Sequence, residues 1–215
     1  MVDAVLFDFD GLLANSEPLQ KAAWCAYLAQ HGYVLDEALV DRMFGLRLLE
    51  SAMLVQQTLA LPFPVEQIMA DRDAIFLDSL PGVLEPMPHA HDAVAAVRAR
   101  GLRTALATSG HARYIALALG ELHLHAAFDA VVTGDTVAHG KPAPDIFLRA
   151  AALVGVEPGR CVVVEDAPHG IAAAKVANML AVAVPNDLTR GLDFSAADVV
   201  CSSLREFVRW LGDTR

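Results

Sequence analysis

Two aspartates end the first apolar run of this chain. Asp8 and Asp10 lie on either side of Phe9. The apolar residues 4–7 come before them, and Gly11 comes after them. Two carboxylates this close repel each other unless a positive charge lies between them. The pair therefore predicts a bound cation, a basic side chain, or both, at the end of the first strand.

Further polar side chains follow three later apolar runs. The run 102–107 ends at Thr108 and Ser109, the run 130–132 ends at 133–135, and the run 161–164 ends at Glu165 and Asp166. These runs lack polar alternation, which predicts a parallel sheet covered on both faces. In such sheets, ligands bind beyond the carboxyl ends of the strands. We therefore expect these side chains to gather at one edge of the sheet, together with Lys141 from a loop.

The residue types in this group favour phosphoryl transfer. Four carboxylates beside one lysine would make a poor structural core, because an unpaired buried charge is strongly destabilising. Mg²⁺ would balance them, since it prefers oxygen ligands and is typically held by carboxylates together with a substrate phosphate. Lys141 and the hydroxyls of Thr108 and Ser109 would then contact the remaining phosphate oxygens, as phosphoryl transfer requires.

Each of these motifs alone has a simpler interpretation. An aspartate at a strand end can be a turn residue, and 108–110 can cap the following helix. Lys141 can be a solvated loop residue, and Glu165 and Asp166 can complement a helix dipole. The joint occurrence of the motifs, in order and at predicted strand ends, favours one shared site.

The spacing of the apolar runs predicts a doubly wound α/β fold with a helical insert. A fifth apolar run lies at 180–184, and helical patterns cover 89–100, 145–154 and 170–177. Between the first two strands, helical patterns cover 17–30, 36–44, 48–59 and 65–80. We therefore expect an all-helical domain over residues 15–82, inserted after the first strand of a core formed by 1–14 and 83–215.

Composition narrows the class of protein. Of the 215 residues, 55% are hydrophobic and 20% charged, which allows a sizeable core. A formal net charge of -10 argues against a nucleic-acid partner, because contacts with the phosphate backbone dominate that affinity. No apolar run reaches the roughly 18 residues of a membrane span, and no signal-peptide pattern precedes the first strand. We expect a cytoplasmic, monomeric protein with a small-molecule partner, and buried thiols at Cys25 and Cys161.

Four stretches of this sequence resemble the four motifs of the haloacid dehalogenase superfamily. They lie at 8–11, 107–109, 140–145 and 164–167. The helical insert resembles the cap of the β-phosphoglucomutase-like and sugar-phosphatase branch of that superfamily. The resemblance implies a Mg²⁺-dependent phosphatase of small phosphorylated metabolites, sugar phosphates above all, that works through an aspartyl-phosphate intermediate.

The resemblance also implies a role for each matching residue. Asp8 would be the nucleophile, and Asp10 would be the general acid for the leaving group and then the general base for water. The implied metal ligands are Asp8, the backbone carbonyl of Asp10, Asp166, and Glu165 directly or through water. The implied phosphate-binding residues are Thr108, Ser109, Lys141 and Gly11. Dehalogenases of the superfamily lack the second aspartate, so Asp10 favours phosphate chemistry.

Other functions remain open at this point. A phosphomutase needs a second phosphate site, but Gln20 stands where β-phosphoglucomutases carry a histidine, and Leu48 stands where they carry an arginine. Arg47 is the candidate cap residue for contact with substrate; the alternative is a solvated residue at the N-terminus of a helix. A phospho-accepting signalling or binding module would use similar residues, but the long helical insert disfavours that class.

Overall fold

The core is a parallel sheet with β1 near its centre. The computed structural model describes residues 2–43 and 45–213, and over these residues the sheet has six strands in the order β3-β2-β1-β4-β5-β6. The strands are β1 (Ala4–Phe7), β2 (Arg103–Thr108), β3 (Ala130–Thr133), β4 (Cys161–Glu165), β5 (Leu180–Ala183) and β6 (Val199–Val200). The strand order reverses between β1 and β4, the position where ligands bind in such folds. The predicted doubly wound α/β fold is confirmed.

Strand β1 is apolar throughout because both of its faces are covered. It pairs with β2 on one side and β4 on the other, all in parallel. Val5 and Phe7 pack into one buried cluster, whereas Ala4 and Leu6 pack into another on the opposite face. A strand of this kind needs apolar residues at every position rather than at every second one.

Helices cover the two faces of the sheet. They are α5 (Ala90–Ala99), α6 (Ala112–Glu121), α7 (Asp145–Val154), α8 (Pro168–Val176) and α9 (Leu204–Asp213). Buried residues of α5, α6 and α9 belong to the cluster that contains Phe7. Those of α7 and α8 belong to the cluster that contains Leu6. These two layers fix the sheet and leave the carboxyl ends of its strands open to the cap.

The segment between β1 and α5 is helical, as predicted. It forms α1 (Glu17–Gln30), α2 (Glu37–Met43), α3 (Leu48–Leu59) and α4 (Val65–Ser79). The predicted end of α2 at Phe44 lies outside the described residues. Trp24, Tyr27 and Leu28 anchor an apolar cluster of the cap itself, whereas Phe76 packs with the first core cluster. The boundaries at 15–82 stay a prediction.

Three elements and one side chain differ from the expectations. The sequence reading named neither α6, nor the two-residue edge strand β6, nor α9. Cys161 is buried as expected, but Cys25 is exposed, because it lies on the outer side of α1. In the part of the chain that the structure describes, no helix is both long and apolar enough to cross a membrane.

Helix α9 closes one face of the sheet through Phe207. This side chain is fully buried, and its ring centroid lies 6.0 Å from that of Phe7 on β1. We expect Phe207→Ala to lower the free energy of unfolding by about 3–5 kcal/mol, through lost burial and a cavity. Urea denaturation measures the change. Val176→Ala on α8 is the control, because Val176 is 66% exposed and its loss should cost less than about 0.5 kcal/mol. Equal effects of the two changes would contradict the role of α9.

Candidate active site

The predicted site residues gather at one edge of the sheet. Asp8 directly follows β1, Thr108 ends β2 and Glu165 ends β4, so the parallel pairing brings their backbones together. A cavity of about 610 Å³ lies between this edge and the cap. Its core side is lined by Asp8, Asp10, Ser109, Gly110, Lys141, Glu165 and Asp166, among others. The edge of the sheet therefore forms the floor of this cavity.

Lys141 lies at the centre of this floor. Its Nζ donates to Asp8 Oδ1 at 2.5 Å, to Glu165 Oε1 at 2.7 Å and to the carbonyl of Ala107 at 3.1 Å. The side chain is only 3% exposed, so the solvated-loop interpretation is wrong. Burial favours the neutral amine, but the Asp8 and Glu165 carboxylates outweigh it and raise the pKa of Lys141 above its usual value. The ammonium is therefore a fixed positive charge.

One ammonium does not balance the carboxylates around it. Among the described residues, Asp8, Glu165 and Asp166 form a buried group whose candidate ligand oxygens all lie within 4.8 Å of one another. Burial, more than any neighbouring charge, raises the pKa of Asp8 well above its usual value, and Glu165 and Asp10 add to it. Burial and the Glu165 and Asp8 charges do the same for Asp166. The single charge of Lys141 is therefore too little to balance the three carboxylates of this group.

This donor set fits a hard divalent cation. Carboxylate oxygens at short mutual distance are the ligands that Mg²⁺ prefers, and a bound cation would favour the charged carboxylates and so lower their raised pKa values. Glu165 is already engaged, because Oε1 accepts from Lys141 and Oε2 accepts from the amide of Ala167 at 2.9 Å. Asp8 and Asp166 therefore offer the more available oxygens.

The carboxylate of Asp10 has different partners from that of Asp8. Its Oδ1 accepts from Ser16 Oγ at 2.5 Å and from Tyr114 Oη at 2.6 Å, and its Oδ2 accepts from Thr108 Oγ1 at 3.3 Å. Phe9 is buried between the two aspartates. The side chain of Asp10 therefore does not belong to the candidate metal group, although the sequence predicted a positive charge between Asp8 and Asp10.

The loop after β2 carries the predicted phosphate ligands Thr108 and Ser109. Thr108 is fully buried; its Oγ1 contacts Asp10 and accepts from the amide of Gly110 at 3.0 Å. Ser109 lines the cavity, and its Oγ donates to the carbonyl of Gly45 in the cap at 3.3 Å. The capping interpretation of this loop is not needed, because α6 is capped by His111, whose Nδ1 accepts from the amide of Tyr114.

Gly11 provides space beside Asp166. Its φ is +74°, and a Cβ there would lie 2.3 Å from Asp166 Oδ2 and 2.7 Å from Asn186 Nδ2. Its amide donates to the carbonyl of Ala14, and its predicted role in phosphate binding stays a prediction.

Asn186 is a residue that the sequence reading missed. Its Nδ2 donates to Asp166 Oδ2 at 2.8 Å and to the Gly11 carbonyl at 3.0 Å, which fixes the Asp166 carboxylate.

Arg47 connects the cap to the rim of the core. It lines the cavity, and its Nε donates to Glu50 Oε1 at 2.7 Å. Its Nη1 donates at 3.4 Å to the carbonyls of Gly134, Val137 and Ala138. Much of the guanidinium is thus engaged within the protein, and the predicted contact with substrate stays a prediction.

Two charged cap residues in the cavity wall were not found from the sequence. Arg72 is 2% exposed, lies against the rings of Trp24 and Phe76, and donates to the backbone carbonyl of Gln20 at 3.0 Å. Burial lowers the pKa of Arg72 to about 10. Burial and the charge of Asp10 raise the pKa of Glu17 to about 7. Glu17 lies at the start of the helical insert that resembles the family's cap, and this was the only signal for it in the sequence.

Comparison with known proteins places this geometry in a family. The model of the haloacid dehalogenase-like hydrolases matches residues 2–178, a span that contains every predicted site residue. The chain is 34% identical over 182 residues to the fructose-1-phosphate phosphatase YqaB of Escherichia coli, covering 84% of this chain and 95% of that protein.

Two further relatives resemble this chain over most of its length. The phosphorylated carbohydrates phosphatase of Thermotoga maritima is 31% identical over 182 residues, covering 83% of this chain and 82% of that protein. The crystal structure of CbbY from Rhodobacter sphaeroides in complex with phosphate is 28% identical, with a TM-score of 0.85 and 96% of each chain covered. The likeness to CbbY includes both the sheet and the cap.

Gly170 allows Glu165 to reach Lys141. A Cβ at this position of α8 would lie 1.7 Å from Glu165 Oε1. We expect Gly170→Ala to displace Glu165 and to lower both the melting temperature and the rate of phosphate-ester hydrolysis. Gly120→Ala is the matched control, since Gly120 also lies in a helix and has nothing within 4 Å of the added Cβ; it should be neutral or stabilising. Comparable losses in both variants would show that the contact with Glu165 does not matter.

We expect Mg²⁺ to stabilise the protein more strongly at high pH than at low pH. The pKa values of Asp8 and Asp166 are raised in the folded, metal-free protein. Their protonated forms therefore stabilise the metal-free protein at low pH, and this contribution to stability is lost as pH rises through the raised pKa values. Mg²⁺ at one hundred times its dissociation constant adds about 2.7 kcal/mol, or several degrees in melting temperature. Thermal melts at about pH 5.5 and about pH 8, with Mg²⁺ and with EDTA, measure the effect.

The control for this metal experiment is a pair of aspartate substitutions. Asp166→Asn should abolish the Mg²⁺-dependent shift, whereas Asp198→Asn should retain it, because Asp198 pairs with Lys175 away from the site. A shift that survives in Asp166→Asn would place the metal elsewhere.

Proposed function

The chain belongs to the haloacid dehalogenase-like hydrolase family, and we propose that it is a Mg²⁺-dependent phosphatase of small phosphorylated metabolites, sugar phosphates among them, acting through an aspartyl-phosphate. The family and the relatives named as phosphatases make it a phosphoric monoester hydrolase. The observation that carries the finer proposal is the buried group of Asp8, Glu165 and Asp166 around one ammonium.

In the proposed reaction, Asp8 is the nucleophile. A carboxylate oxygen of Asp8 bonds to phosphorus while the bond from phosphorus to the ester oxygen breaks, and the leaving oxygen takes a proton from Asp10. Asp10 then accepts a proton from water, which attacks the aspartyl-phosphate, so the bond from phosphorus to Asp8 breaks and phosphate leaves. Lys141 keeps the Asp8 carboxylate oriented through its 2.5 Å hydrogen bond.

The metal site would use Asp8, Asp166 and the backbone carbonyl of Asp10. Because both oxygens of Glu165 are engaged by Lys141 and Ala167, contact through water suits Glu165 better than direct ligation. When bound, Mg²⁺ would offset the negative charges of the carboxylates and the phosphate. Thr108, Ser109, Lys141 and Gly11 are proposed to bind the phosphoryl group.

The proposed substrate is a small molecule, because the cavity suits one. Its volume of about 610 Å³ lies within the usual range for small-molecule sites. The relatives from Escherichia coli and Thermotoga maritima are named for fructose 1-phosphate and phosphorylated carbohydrates, which supports a sugar phosphate here. A cytoplasmic location and a monomeric state are parts of the proposal that rest on the sequence.

The cap favours hydrolysis over phosphate exchange. A mutase needs a second phosphate site, which requires free basic groups. Lys21 pairs with Glu37, Arg47 pairs with Glu50, and Arg72 donates to Gln20. Because these three cations of the cap line the cavity and are engaged within the protein, we propose a phosphatase rather than a phosphomutase.

Asp8→Asn should abolish turnover without unfolding the protein. We expect phosphate release from a panel of sugar and nucleotide monophosphates to fall at least about a thousandfold, since the covalent path is lost, with an unchanged circular dichroism spectrum. Asp92→Asn is the control, because its side chain is 85% exposed and does not line the cavity; it should keep wild-type rates.

Other outcomes of this assay identify the alternatives. Near-wild-type release from Asp8→Asn would contradict the nucleophile assignment. Isomerisation of a hexose 1-phosphate that requires a bisphosphate primer would identify a mutase. An aspartyl-phosphate that persists for minutes, with no net release, would identify a signalling module.

A further inference from the structure

Tyr114 is a buried residue that the proposed reaction does not yet use. It lies in the first turn of α6 and is 1% exposed. Its hydroxyl donates to Asp10 Oδ1 at 2.6 Å, which is at the short end of the range for hydrogen bonds between oxygens. Burial, with the Asp10 charge adding to it, raises the pKa of Tyr114 well above its usual value. The hydroxyl therefore remains a donor.

The donors to Asp10 come from different parts of the fold. Ser16 precedes cap helix α1, Thr108 ends β2 and Tyr114 belongs to α6. Ser16 and Tyr114 contact the same oxygen, Oδ1, whereas Thr108 contacts Oδ2 at the longer distance of 3.3 Å. Tyr114 belongs to core helix α6 whereas Ser16 precedes a cap helix, so the core and the cap each supply one donor to Oδ1.

The ring of Tyr114 also contacts the cap. Its centroid lies 4.9 Å from that of Phe76 on α4 and 6.0 Å from that of Phe9. Beside it, His111 Nε2 lies 2.8 Å from Asp73 Oδ1 on α4. Because His111 Nδ1 accepts from the amide of Tyr114, Nε2 carries the proton that is donated to Asp73. Cap helix α4 thus packs directly on the residue that holds Asp10.

We propose that Tyr114 is a positioning residue that holds the carboxyl of Asp10 in the orientation needed to protonate the leaving group, and that the packing of Phe76 on its ring fixes it there when the cap lies over the core. The inference rests on the proposed role of Asp10 as general acid. Tyr114 itself transfers no proton; its side chain lines the cavity, and its hydroxyl is engaged by Asp10.

A positioning role makes a specific prediction about leaving groups. An ordinary alcohol is a poor leaving group and needs a proton from the acid, whereas an acidic phenol leaves without one. If Tyr114 acts through Asp10, its hydroxyl matters for alkyl phosphates and hardly at all for p-nitrophenyl phosphate. A residue that merely supports the fold would affect both substrates alike.

The test measures kcat/KM of wild type and Tyr114→Phe for phosphate monoesters of acidic phenols through ordinary alcohols. We expect Tyr114→Phe to lose roughly ten- to a hundredfold with alkyl esters and less than about threefold with p-nitrophenyl phosphate, so that the dependence on leaving-group pKa becomes steeper. This slope compares kcat/KM values for different substrates measured on the same enzyme preparation. Partial unfolding of the variant lowers all rates equally and leaves the slope unchanged.

The chain offers a matched control in Tyr27→Phe. Tyr27 is a fully buried tyrosine of the cap whose hydroxyl has no hydrogen-bond partner among the described residues, so its removal should change neither slope nor rates.

An unchanged slope in Tyr114→Phe, with or without a uniform loss of rate, would overturn the positioning role. Should the wild type hydrolyse none of the esters, the proposed function fails, and the positioning role falls with it. A wild type that hydrolyses the esters and is inactivated by Asp8→Asn separates the two failures.

Discussion

The buried ammonium of Lys141 is the constraint on which the rest of the site depends. An ammonium has three protons to donate, and here they go to Asp8 after β1, to Glu165 at the end of β4 and to the carbonyl of Ala107 in β2. One side chain therefore joins the ends of three adjacent strands. Without it, the neighbouring carboxylates would be buried and unpaired, which is strongly destabilising. The same contacts that stabilise this edge of the sheet orient the proposed nucleophile.

The parallel sheet explains why these groups can meet at all. Strand β1 lies between β2 and β4, and all three run in parallel. Their carboxyl ends therefore lie at the same edge of the sheet, which brings together residues that are far apart in sequence. Small backbone details then decide the fit. Gly11 leaves room for Asp166 and Asn186, and Gly170 leaves room for Glu165. A side chain at either glycine would occupy the space of a carboxylate that the proposed metal site requires.

The two aspartates of the first motif have separate environments, and this separation gives them separate chemical roles. Asp8 faces Lys141 and the other carboxylates of the floor, whereas Asp10 is surrounded by the hydroxyls of Ser16, Tyr114 and Thr108. Hydroxyl donors from both the cap and the core meet at Asp10. The position of the cap and the orientation of the proposed acid are therefore physically linked, through the ring of Tyr114 and its contact with Phe76.

The sequence alone determined the fold class, and it predicted the helical segment after β1 and the candidate site residues at the strand ends, because these depend on local pattern. Continuous apolar runs predict covered parallel strands, and polar residues at their ends predict a shared edge. The tertiary structure decided what depends on contacts between distant segments. Tyr114, Asn186 and Arg72 lie within ordinary helical or loop sequence, and nothing in their spacing indicates a buried partner. The different orientations of Asp8 and Asp10, and the engagement of Arg47 with core carbonyls, likewise follow only from how the cap and core pack together.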